Sequence, residues 1–484
     1  MKALSPESRR NISVLLALAG SFGCAGTDAS TAATGAPDAS LESGGPGPGP
    51  GGQTDGGNGS DAAAGGASDG STAKDAGTDR DSATGDSGAS LDSGSNADGG
   101  TVTGFPMVSV FDADLCHDLD VAAGPTLIAT ATNAGHVAFY KKDGTKDHTS
   151  DLAGSCGDQH IQWDDASQRW FLSVMNCDTT VFVYATKDTT GQTWTQAYTA
   201  TLTGSLDDVQ LAVTTDKVLL ENADCIFPLD KTAVMAGGGS ASPTGSCGIK
   251  QQEQVWGTHS GHPQSSTAYY CTMSDDQHLN WISVDGTGTN ITVNQHEVAI
   301  SNFTTFPVSP GVPQPPGPVH TAGSTLRASG AEGMWHKNEL WCSFVDTCGS
   351  ASCQRMFHIH TDTATETDFE FSAAGAYVWS AAPGIDVNGN MWSVMSESSS
   401  ALDPSVAVGG FSAAGATTPP KIVFQGTQAD ESNGNADGTF LDWGDFFACD
   451  QDPMDGSVWC VANYGGPAVN GCGTPAKLVH ITTK

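Results

Sequence analysis

Basic residues are scarce in this sequence: 19 Lys and Arg face 54 Asp and Glu, and the formal net charge is −35 at pH 7. Nucleic acids and anionic membrane surfaces are recognised through basic patches. The composition therefore argues against nucleic acid as a partner, and against a membrane contact other than through a lipid anchor. From position 101 onward 14 basic residues face 41 acidic ones. That excess permits cation binding, and it is also typical of a soluble surface in an extracytoplasmic setting.

Long hydrophobic runs are absent as well. One apolar segment, residues 12–22, follows a positively charged start and is too short to span a bilayer, so residues 1–24 are predicted to be a signal peptide. Cys24 resembles the lipid-attachment cysteine of bacterial lipoproteins, although Ser21 and Phe22 depart from the usual motif. We expect a bacterial outer-membrane or cell-surface lipoprotein with Cys24 lipidated, and ordinary secretion is the alternative.

Aromatic residues are missing from residues 25–102. This stretch consists almost entirely of Gly, Ala, Ser, Asp, Thr and Pro, and Leu41 and Leu91 are nearly its only large aliphatic residues. Such a composition cannot bury enough apolar surface to offset the entropy of ordering the chain. We predict a disordered linker that acts as a flexible tether or as an inert spacer.

Sequence motifs of several enzyme classes are also missing. There is no Gly-x-Ser-x-Gly, no phosphate-binding loop and no His-Glu-x-x-His, and the lack of Cys-x-x-Cys leaves little support for a zinc site built on cysteines. Apart from Cys24, twelve cysteines occur, all after residue 102, and an even number in an exported chain predicts disulfides. The candidate bridges flank a hairpin or close a small loop: Cys449–Cys460, Cys156–Cys177 and Cys348–Cys353.

Helical periodicity is absent from residues 103–484 in any stretch longer than about ten residues, which predicts an all-β chain. Instead, one pattern recurs: a short apolar strand, a tight polar turn and a second strand that carries an aromatic residue. Its copies start near His117, Gly157, Leu206, Ser265, Arg327, Tyr377 and Trp443. Repeats of about 40–50 residues made of antiparallel strands are typical of propeller blades. We therefore predict that residues 103–484 form a monomeric β-propeller with seven four-stranded blades, and the uneven spacing of the copies leaves six or eight blades as alternatives.

Turn chemistry supports this pattern. Polar turns that suit tight hairpins occur at 164–168, 214–217, 386–390 and 452–456. After the third of these turns, alternation with a period of two predicts that Met391 and Met395 lie on one strand face and Trp392 and Val394 on the other.

Several of these residues carry a resemblance to a known class of proteins. They are Gly157-Asp158, Asp164, Arg169-Trp170, the stretch 186–194, Trp443 to Phe446 and Asp452-Pro453. In these motifs the chain resembles exported bacterial propellers of the broad sialidase-like class, most of which have no assigned activity. The stretch 186–194 is similar to the Asp-box turn of sialidases, with one residue too many before the glycine. The resemblance implies a propeller fold and a structural role for this turn, and it says nothing about catalysis.

Candidate site residues follow from the propeller prediction. The first strand of each blade lines the central channel, and ligands usually sit at one of its mouths. The residues that open these strands are Asp118 or Asp120, Asp158 with His160, Asp208, Arg327, Tyr377 with Trp379, and Asp445. Trp379 and Trp443 are the tryptophans we expect to be exposed for stacking on a ligand, whereas most of the others are expected to be core between blades.

Three interpretations of the acidic residues remain open. Asp158, Asp208 and Asp445 can hold a hard cation such as Ca²⁺ through oxygen ligands. Asp158, His160 and Asp445 can act as acid and base in catalysis, because like charges raise a carboxyl pKa. The simplest interpretation is that these side chains cap neighbouring strand ends by accepting hydrogen bonds from backbone N–H groups.

Specific enzyme activities are weakly supported. Sialidases grip the substrate carboxylate with three arginines, and only Arg169, Arg327 and Arg355 occur after residue 102. A lyase would use His160 or His262 as the base, with Tyr377 or Tyr269 as the acid, but no spacing selects a pair. The pair His358-x-His360 places two imidazoles on one strand face, which suits a metal but lacks a third ligand in the sequence.

We therefore expect a tethered propeller that binds an extracellular glycan or protein segment at its channel mouth, with Asp208, Arg327, Tyr377, Trp379 and Trp443 as ligand contacts. The alternatives are a glycan-active hydrolase or lyase at the same mouth, and a structural component of the cell surface.

Overall fold

The computed structural model describes residues 105–116, 118–132, 135–152, 157, 159–176, 179–203, 206, 209–222, 224–251, 256–306, 311–315, 325–326, 332–429, 447–467 and 474–483. The predicted signal peptide and linker, and therefore Cys24, lie outside this part of the chain. In it the fold is all-β, with one short helix, α1 (Lys231–Ala236), whose first turn is capped by Asp230.

Seven antiparallel blades of four strands each form a propeller. The chain enters with β1 (Met107–Cys116), which belongs to the last blade. Blade 1 consists of β2 (Asp120–Ala123), β3 (Leu127–Thr132), β4 (His136–Lys141) and β5 (Lys146–Asp151). Blade 2 consists of β6 (Gln159–Asp164), β7 (Arg169–Met175), β8 (Thr180–Ala185) and β9 (Tyr198–Thr201). Blade 3 consists of β10 (Gln210–Val213), β11 (Val218–Asn222), β12 (Cys225–Leu229) and β14 (Ser246–Cys247). Between β12 and β14 the chain forms β13 (Ser240–Ala241), which pairs with β9 and adds a fifth strand to the sheet of blade 2.

Blades 4 and 5 form one continuous sheet, because their inner strands pair in parallel. Blade 4 consists of β15 (Trp256–Ser260), β16 (Ala268–Asp275), β17 (His278–Thr287) and β18 (Asn290–Ala299). A two-stranded ribbon follows, β19 (Val312–Pro313) with β20 (Thr325–Leu326). Blade 5 consists of β21 (Gly333–His336), β22 (Glu339–Cys348), β23 (Ala351–His360) and β24 (Thr365–Phe371).

The last two blades close the ring. Blade 6 consists of β25 (Tyr377–Ile385), β26 (Met391–Ser399), β27 (Leu402–Phe411) and β28 (Thr417–Phe424). Blade 7 consists of β29 (Ala448–Gln451), β30 (Val458–Asn463) and β31 (Pro475–Thr482), with β1 from the start of the chain as its fourth strand. The pairing of β1 with β31 joins the first strand to the last. The prediction of seven four-stranded blades is confirmed.

Burial explains why each strand occupies its position in a blade. The inner strands β2, β6, β10 and β29 are buried at every residue, because neighbouring blades cover both of their faces. The outer strands alternate, as in β18 and β24, because only one face of an outer strand meets another blade. Apolar side chains from facing sheets form the clusters between blades, so the core is a ring rather than a single centre.

The predicted hairpin details are also confirmed. All four turns join the first and second strands of a blade, and Gly389 and Gly456 in two of them adopt positive φ. Met391 and Met395 pack between blades 5 and 6, whereas Trp392 and Val394 face the cluster between blades 6 and 7. Most of the described tryptophans are buried, as expected for core positions.

One part of the repeat prediction is wrong. The fourth copy was placed at Ser265, but the inner strand of blade 4 is β15, and the segment after Ser265 forms the second strand, β16. Segment 261–267 departs from the tight turn used in other blades and carries a Gly-His-Pro sequence instead. The pattern of strand, turn and aromatic strand therefore missed β15.

Four disulfides lie among the described side chains: Cys225–Cys247, Cys271–Cys342, Cys348–Cys353 and Cys449–Cys460. The last two confirm predictions, whereas the Cys156–Cys177 prediction lies outside the described residues. Cys271–Cys342 joins β16 of blade 4 to β22 of blade 5. Disulfides persist in oxidising compartments, and these four indicate an extracytoplasmic environment. No helix in the described part of the chain is long and apolar enough to cross a bilayer.

Candidate functional site

Titratable side chains from four blades meet on the propeller axis. Asp120 comes from β2, His160 from β6, His259 from β15 and Asp450 from β29. Asp120 Oδ1 lies 3.0 Å from His259 Nε2, which joins blade 1 to blade 4. These blades are not neighbours in the ring, so their side chains can meet only at the axis. All four residues are buried, and we call Asp120, His160, His259 and Asp450 the axial cluster.

Asp120 is the centre of this cluster. Its Oδ1 accepts a hydrogen bond from Val121 N (2.7 Å), and its Oδ2 accepts one from Ile161 N (2.7 Å). The same Oδ2 lies 3.6 Å from His160 Nδ1. Burial raises the pKa of the Asp120 carboxyl, but the charge on His259 and the contacts of both imidazoles outweigh burial and lower it to about 2. Asp120 is therefore ionised at neutral pH.

His259 carries the opposite charge. Burial alone would lower the pKa of its imidazole, but the neighbouring Asp120 carboxylate, together with Asp450 and Glu332 at longer range, raises it to about 9. The axis thus holds a buried ion pair at pH 7. Such a pair needs further hydrogen bonds to offset its desolvation, and the two backbone N–H groups on Asp120 supply them.

Asp450 ties the last blade to the first. Its Oδ2 accepts a hydrogen bond from Ala123 N (2.8 Å), and its Oδ1 accepts one from Gln451 N (2.8 Å). Burial raises the pKa of this carboxyl, and the charges of His262 and His259 offset only part of that effect. This is the strand-end capping expected for acids on first strands, and it operates beside the charged pair.

A short segment after β15 closes the end of the channel where the inner strands finish. His262 N donates to Gln451 Oε1 of blade 7 (2.9 Å), and His262 Nδ1 lies 2.6 Å from Asp165 Oδ2 of blade 2. Gln264 Nε2 donates to the carbonyl of Trp163 (2.5 Å). Segment 261–264 therefore crosses from blade 4 to blades 7 and 2.

Glycine is required within this crossing segment for reasons of space. A Cβ on Gly261 would lie 2.6 Å from Nδ1 of His336, the last residue of β21. His336 is buried, and neither of its ring nitrogens has a hydrogen-bond partner among the described residues. Burial, with the charges of Lys337 and His262, lowers the pKa of His336 to about 4, so its imidazole is neutral at pH 7.

The structure describes some of the predicted site residues and not others. His160 lies on the axis, and so does Asp120. Tyr377 begins β25 and packs edge-on to Phe306, with ring centroids 5.9 Å apart. Five further predictions lie outside the described residues and stay predictions: Asp158, Asp208, Arg327, Trp443 and Asp445. The Ca²⁺ prediction rests on three of those residues and is likewise untested.

The expectation that Trp379 is exposed is wrong. Trp379 is fully buried in a cluster with Phe306, Val312 and Val345. The physical reason is an irregularity in β25 directly after Trp379, where Ser380 adopts a φ of +52° and the register shifts. The indole packs with Phe306 and Val312.

The repeat pattern in the sequence does not mark His259, Asp450 or the crossing segment as axial features. His259 was missed because β15 was not recognised as an inner strand. Asp450 was placed at the end of the seventh copy, and Asp445 was preferred because it stands nearer the predicted strand start. The Gly-His-Pro sequence that interrupts the hairpin pattern was the available signal.

The arginines occupy other positions. Arg355 is held by Asp346 and Asp368 within blade 5, and Arg169 begins the second strand of blade 2, where its guanidinium contacts the carbonyl of Met235. Neither described arginine belongs to the axial cluster. The three-arginine arrangement of sialidases therefore gains no support, and Arg327 lies outside the described residues.

Comparisons with known proteins concern only the fold of this chain. No family model matches the chain, and no curated protein matches it. Among solved structures, the chain is similar to the WD40 propeller domain of Doa1, with 10% identity, a TM-score of 0.41, and coverage of 79% of this chain and 98% of that one. It is also similar to a copper-bound fungal alcohol oxidase of the AA5 family, with 11% identity, a TM-score of 0.46, and coverage of 78% and 76%. Identities this low concern the fold and carry no activity over to this chain.

Proposed function

We propose that this protein is an exported, membrane-tethered β-propeller that binds an extracellular glycan or peptide at the end of its channel where the inner strands begin. The observation that carries the proposal is the axial cluster. Four titratable side chains from blades 1, 2, 4 and 7 converge there. The ion pair between Asp120 and His259 joins blades 1 and 4, which are not adjacent in the ring.

The chemistry of the cluster suits a polar, hydrogen-bonding ligand. Asp120 is an ionised acceptor and His259 a protonated donor, and both are held in place by neighbouring strands. Sugar hydroxyls and peptide groups both donate and accept hydrogen bonds, so either can engage paired donors and acceptors of this kind. Buried, charged groups with shifted pKa values gather at functional sites more often than elsewhere.

The access route also favours this end of the channel. Segment 261–264 hydrogen-bonds across the opposite end, so a ligand of any size meets the cluster from the side on which β2, β6 and β29 begin. The predicted contacts Asp208, Arg327, Tyr377, Trp379 and Trp443 precede or open inner strands and belong to the same proposal. Because Trp379 is fully buried, it can only pack beneath residues that contact the ligand.

The test is ligand binding by the full chain. A panel of neutral and acidic polysaccharides and of peptides is screened by the shift in melting temperature, because only a ligand that prefers the native state raises it. Hits are measured by calorimetry on the wild type and on His160→Gln. His278→Gln is the matched control, since His278 pairs with Asp275 on the outer part of blade 4.

We expect at least one ligand class to raise the melting temperature, with the shift reduced in His160→Gln and retained in His278→Gln. Equal binding by all three proteins would contradict an axial site. No shift with any ligand would leave a structural role at the cell surface as the better account.

Catalysis on a glycan is the second candidate function. A carboxylate beside an imidazole, as in Asp120 and His160, is the pairing that orients a general base. The test follows new reducing ends and unsaturated-product absorbance with the wild type, His160→Gln and Asp158→Asn. Product that disappears in the variants would establish a hydrolase or lyase, and no product on any substrate would leave binding as the function.

A further inference from the structure

We propose that Glu339, His358 and His360 form a binding site for a divalent transition-metal ion of the zinc type. The three side chains lie in the second and third strands of blade 5, away from the axial cluster. This site is independent of the proposed ligand-binding function, and either proposal can fail without the other.

The strand geometry places all three side chains on one face. His358 and His360 are two residues apart on β23, and side chains at this spacing point to the same side of a sheet. Glu339 is the first residue of β22 and stands directly opposite His360 in the antiparallel register. Cross-strand partners and their diagonal neighbours are within reach of long side chains, so Glu339 meets both imidazoles.

The potential ligand atoms converge. One carboxylate oxygen of Glu339 contacts His358 Nε2, and the other lies 3.1 Å from His360 Nδ1. One ligand atom from each residue lies within 4.8 Å of the other two. Two ligand atoms on one tetrahedral zinc ion, each about 2.1 Å from it, are about 3.4 Å apart. Adjustments of up to about 1.5 Å therefore bring all three onto one ion.

The surroundings hold the first ligand in place and leave room for solvent. The His358 ring stacks on Trp341, with centroids 4.0 Å apart and planes within 5°. His360 and Glu339 are partly exposed, at 41% and 31% of their side-chain surface. The packed His358 beside the accessible His360 and Glu339 leaves a path by which an ion can enter and a coordination position open to solvent. Three protein ligands with one open position are typical of catalytic rather than structural zinc sites.

The ligand set selects the class of ion. Two imidazoles with one carboxylate suit Zn²⁺ and other late first-row ions, whereas Ca²⁺ prefers an all-oxygen shell. The other groups of three potential ligands in the described residues contain the disulfides Cys225–Cys247 and Cys348–Cys353. Their sulfurs are consumed by the bridges, so they offer no comparable site.

The experiment measures metal binding by the intact chain after removal of bound metal with chelator and exhaustive dialysis. Calorimetry with ZnCl₂ gives the affinity, and Co²⁺ provides a visible absorption spectrum that reports imidazole coordination. The variants are His360→Gln and Glu339→Gln, both of which leave the Trp341–His358 stack in place. The control is His136→Gln, because the His136 side chain pairs with Asp151, at 2.6 Å, and belongs to none of the three-ligand groups among the described residues.

We expect one Zn²⁺ per chain, with an affinity lowered at least about tenfold in each variant, because even residues that only support a metal ligand change affinity by about 10–100-fold. The Co²⁺ spectrum should be lost in the variants and retained in His136→Gln. Circular dichroism checks that both variants fold. The proposal is overturned if the wild type binds no Zn²⁺ at millimolar concentration, or if His360→Gln and Glu339→Gln both bind it as the wild type does.

Discussion

At the scale of single residues, the most consequential feature is the pairing of Asp120 with His259 inside the ring. Burying two opposite charges costs desolvation free energy that their attraction offsets only with good geometry and further hydrogen bonds. Val121 N and Ile161 N provide those bonds to Asp120. Replacing a buried ion pair by apolar residues of similar volume is often neutral or stabilising, so the retention of these charges is consistent with the ligand-binding role proposed for the axis.

The ion pair predicts how stability depends on pH. The pKa of His259 is about 9 in the folded protein, against 6.5 for an unperturbed imidazole. Since the folded value is the higher one, the contribution of His259 to stability is fully present below about pH 6.5 and is lost as pH rises toward 9. We expect a loss of up to about 3 kcal/mol in the free energy of unfolding across this window. Chemical denaturation at pH 6, 7, 8 and 9 measures it.

The variant His259→Gln isolates this effect, because His262 also has a raised pKa and acts in the same direction. The fall in stability from pH 6 to 9 should be distinctly shallower in His259→Gln than in the wild type, and unchanged in His278→Gln. Parallel curves for the wild type and His259→Gln would show that the pair is not charged in solution. His336 does not interfere, because its pKa is lowered and it acts only below about pH 6.5.

At the scale of elements, the unit is the four-stranded blade, and disulfides brace it in two ways. Cys449–Cys460 joins directly opposite residues of one hairpin, and Cys348–Cys353 closes a tight turn. Cys271–Cys342 instead joins the second strands of blades 4 and 5, whose inner strands already pair in parallel. Blades 4 and 5 are thus joined both covalently and by backbone hydrogen bonds.

The two kinds of bridge predict unequal contributions to stability. A bridge restricts the unfolded chain more when it closes a longer loop, and the sequence separations are 71 residues for Cys271–Cys342 and 5 for Cys348–Cys353. The chain-entropy relation gives about 4 kcal/mol for the first and about 2 kcal/mol for the second. Replacing both cysteines of each pair by alanine, followed by urea denaturation, compares them.

The pair Cys348→Ala/Cys353→Ala serves as the matched control for Cys271→Ala/Cys342→Ala. Equal losses would mean that the bridge between blades is not restricting the unfolded chain. Alkylation of Cys271 or Cys342 in the native, unreduced protein would show that this bridge does not form.

At the scale of the whole molecule, the ring is closed by one pairing between the ends of the described chain. Strand β1 pairs with β31 from Met107 with Thr482 to Cys116 with Pro475. Phe111 of β1 packs against the cluster of blades 7 and 1, and its ring lies 6.1 Å from that of Trp459. Without β1, blade 7 would expose both this apolar cluster and the unpaired edge of β31.

Removal of β1 therefore tests closure. A chain lacking residues 2–116 should lose several kcal/mol of stability, because burial of Leu115 contributes about 1.5–3 kcal/mol and the partly buried Val108 and Phe111 add smaller amounts. It should also aggregate, because an uncovered strand edge pairs with other chains. The control lacks residues 2–104 and keeps β1. Thermal melting and light scattering compare the two, and similar behaviour would refute closure through β1.

Local patterns were enough to predict much of this fold. Alternation with a period of two placed Met391 and Met395 on one face of β26 and Trp392 and Val394 on the other, because neighbouring side chains on a strand point to opposite sides of the sheet. Turn chemistry located the hairpin at 386–390 for a similarly local reason. The number of blades followed because each copy of the pattern is one such hairpin.

The candidate sites depended on contacts that no local pattern contains. His160 and Asp120 could be placed on the axis because each stands at the start of a recognised repeat. His259, the partner of Asp120, is 139 residues further along the chain, on a strand whose hairpin pattern is interrupted. Likewise, His358-x-His360 was visible in the sequence, whereas Glu339 joined it only through the register of β22 with β23.

The sequence by itself determined the all-β class and the hairpin repeat, because these depend on interactions between residues close together in the chain. Only the tertiary structure decided the register between strands, the burial of Trp379 and the meeting of Asp120 with His259. Those depend on closing a ring of seven sheets, which brings distant residues to one axis at positions set by the packing of whole blades.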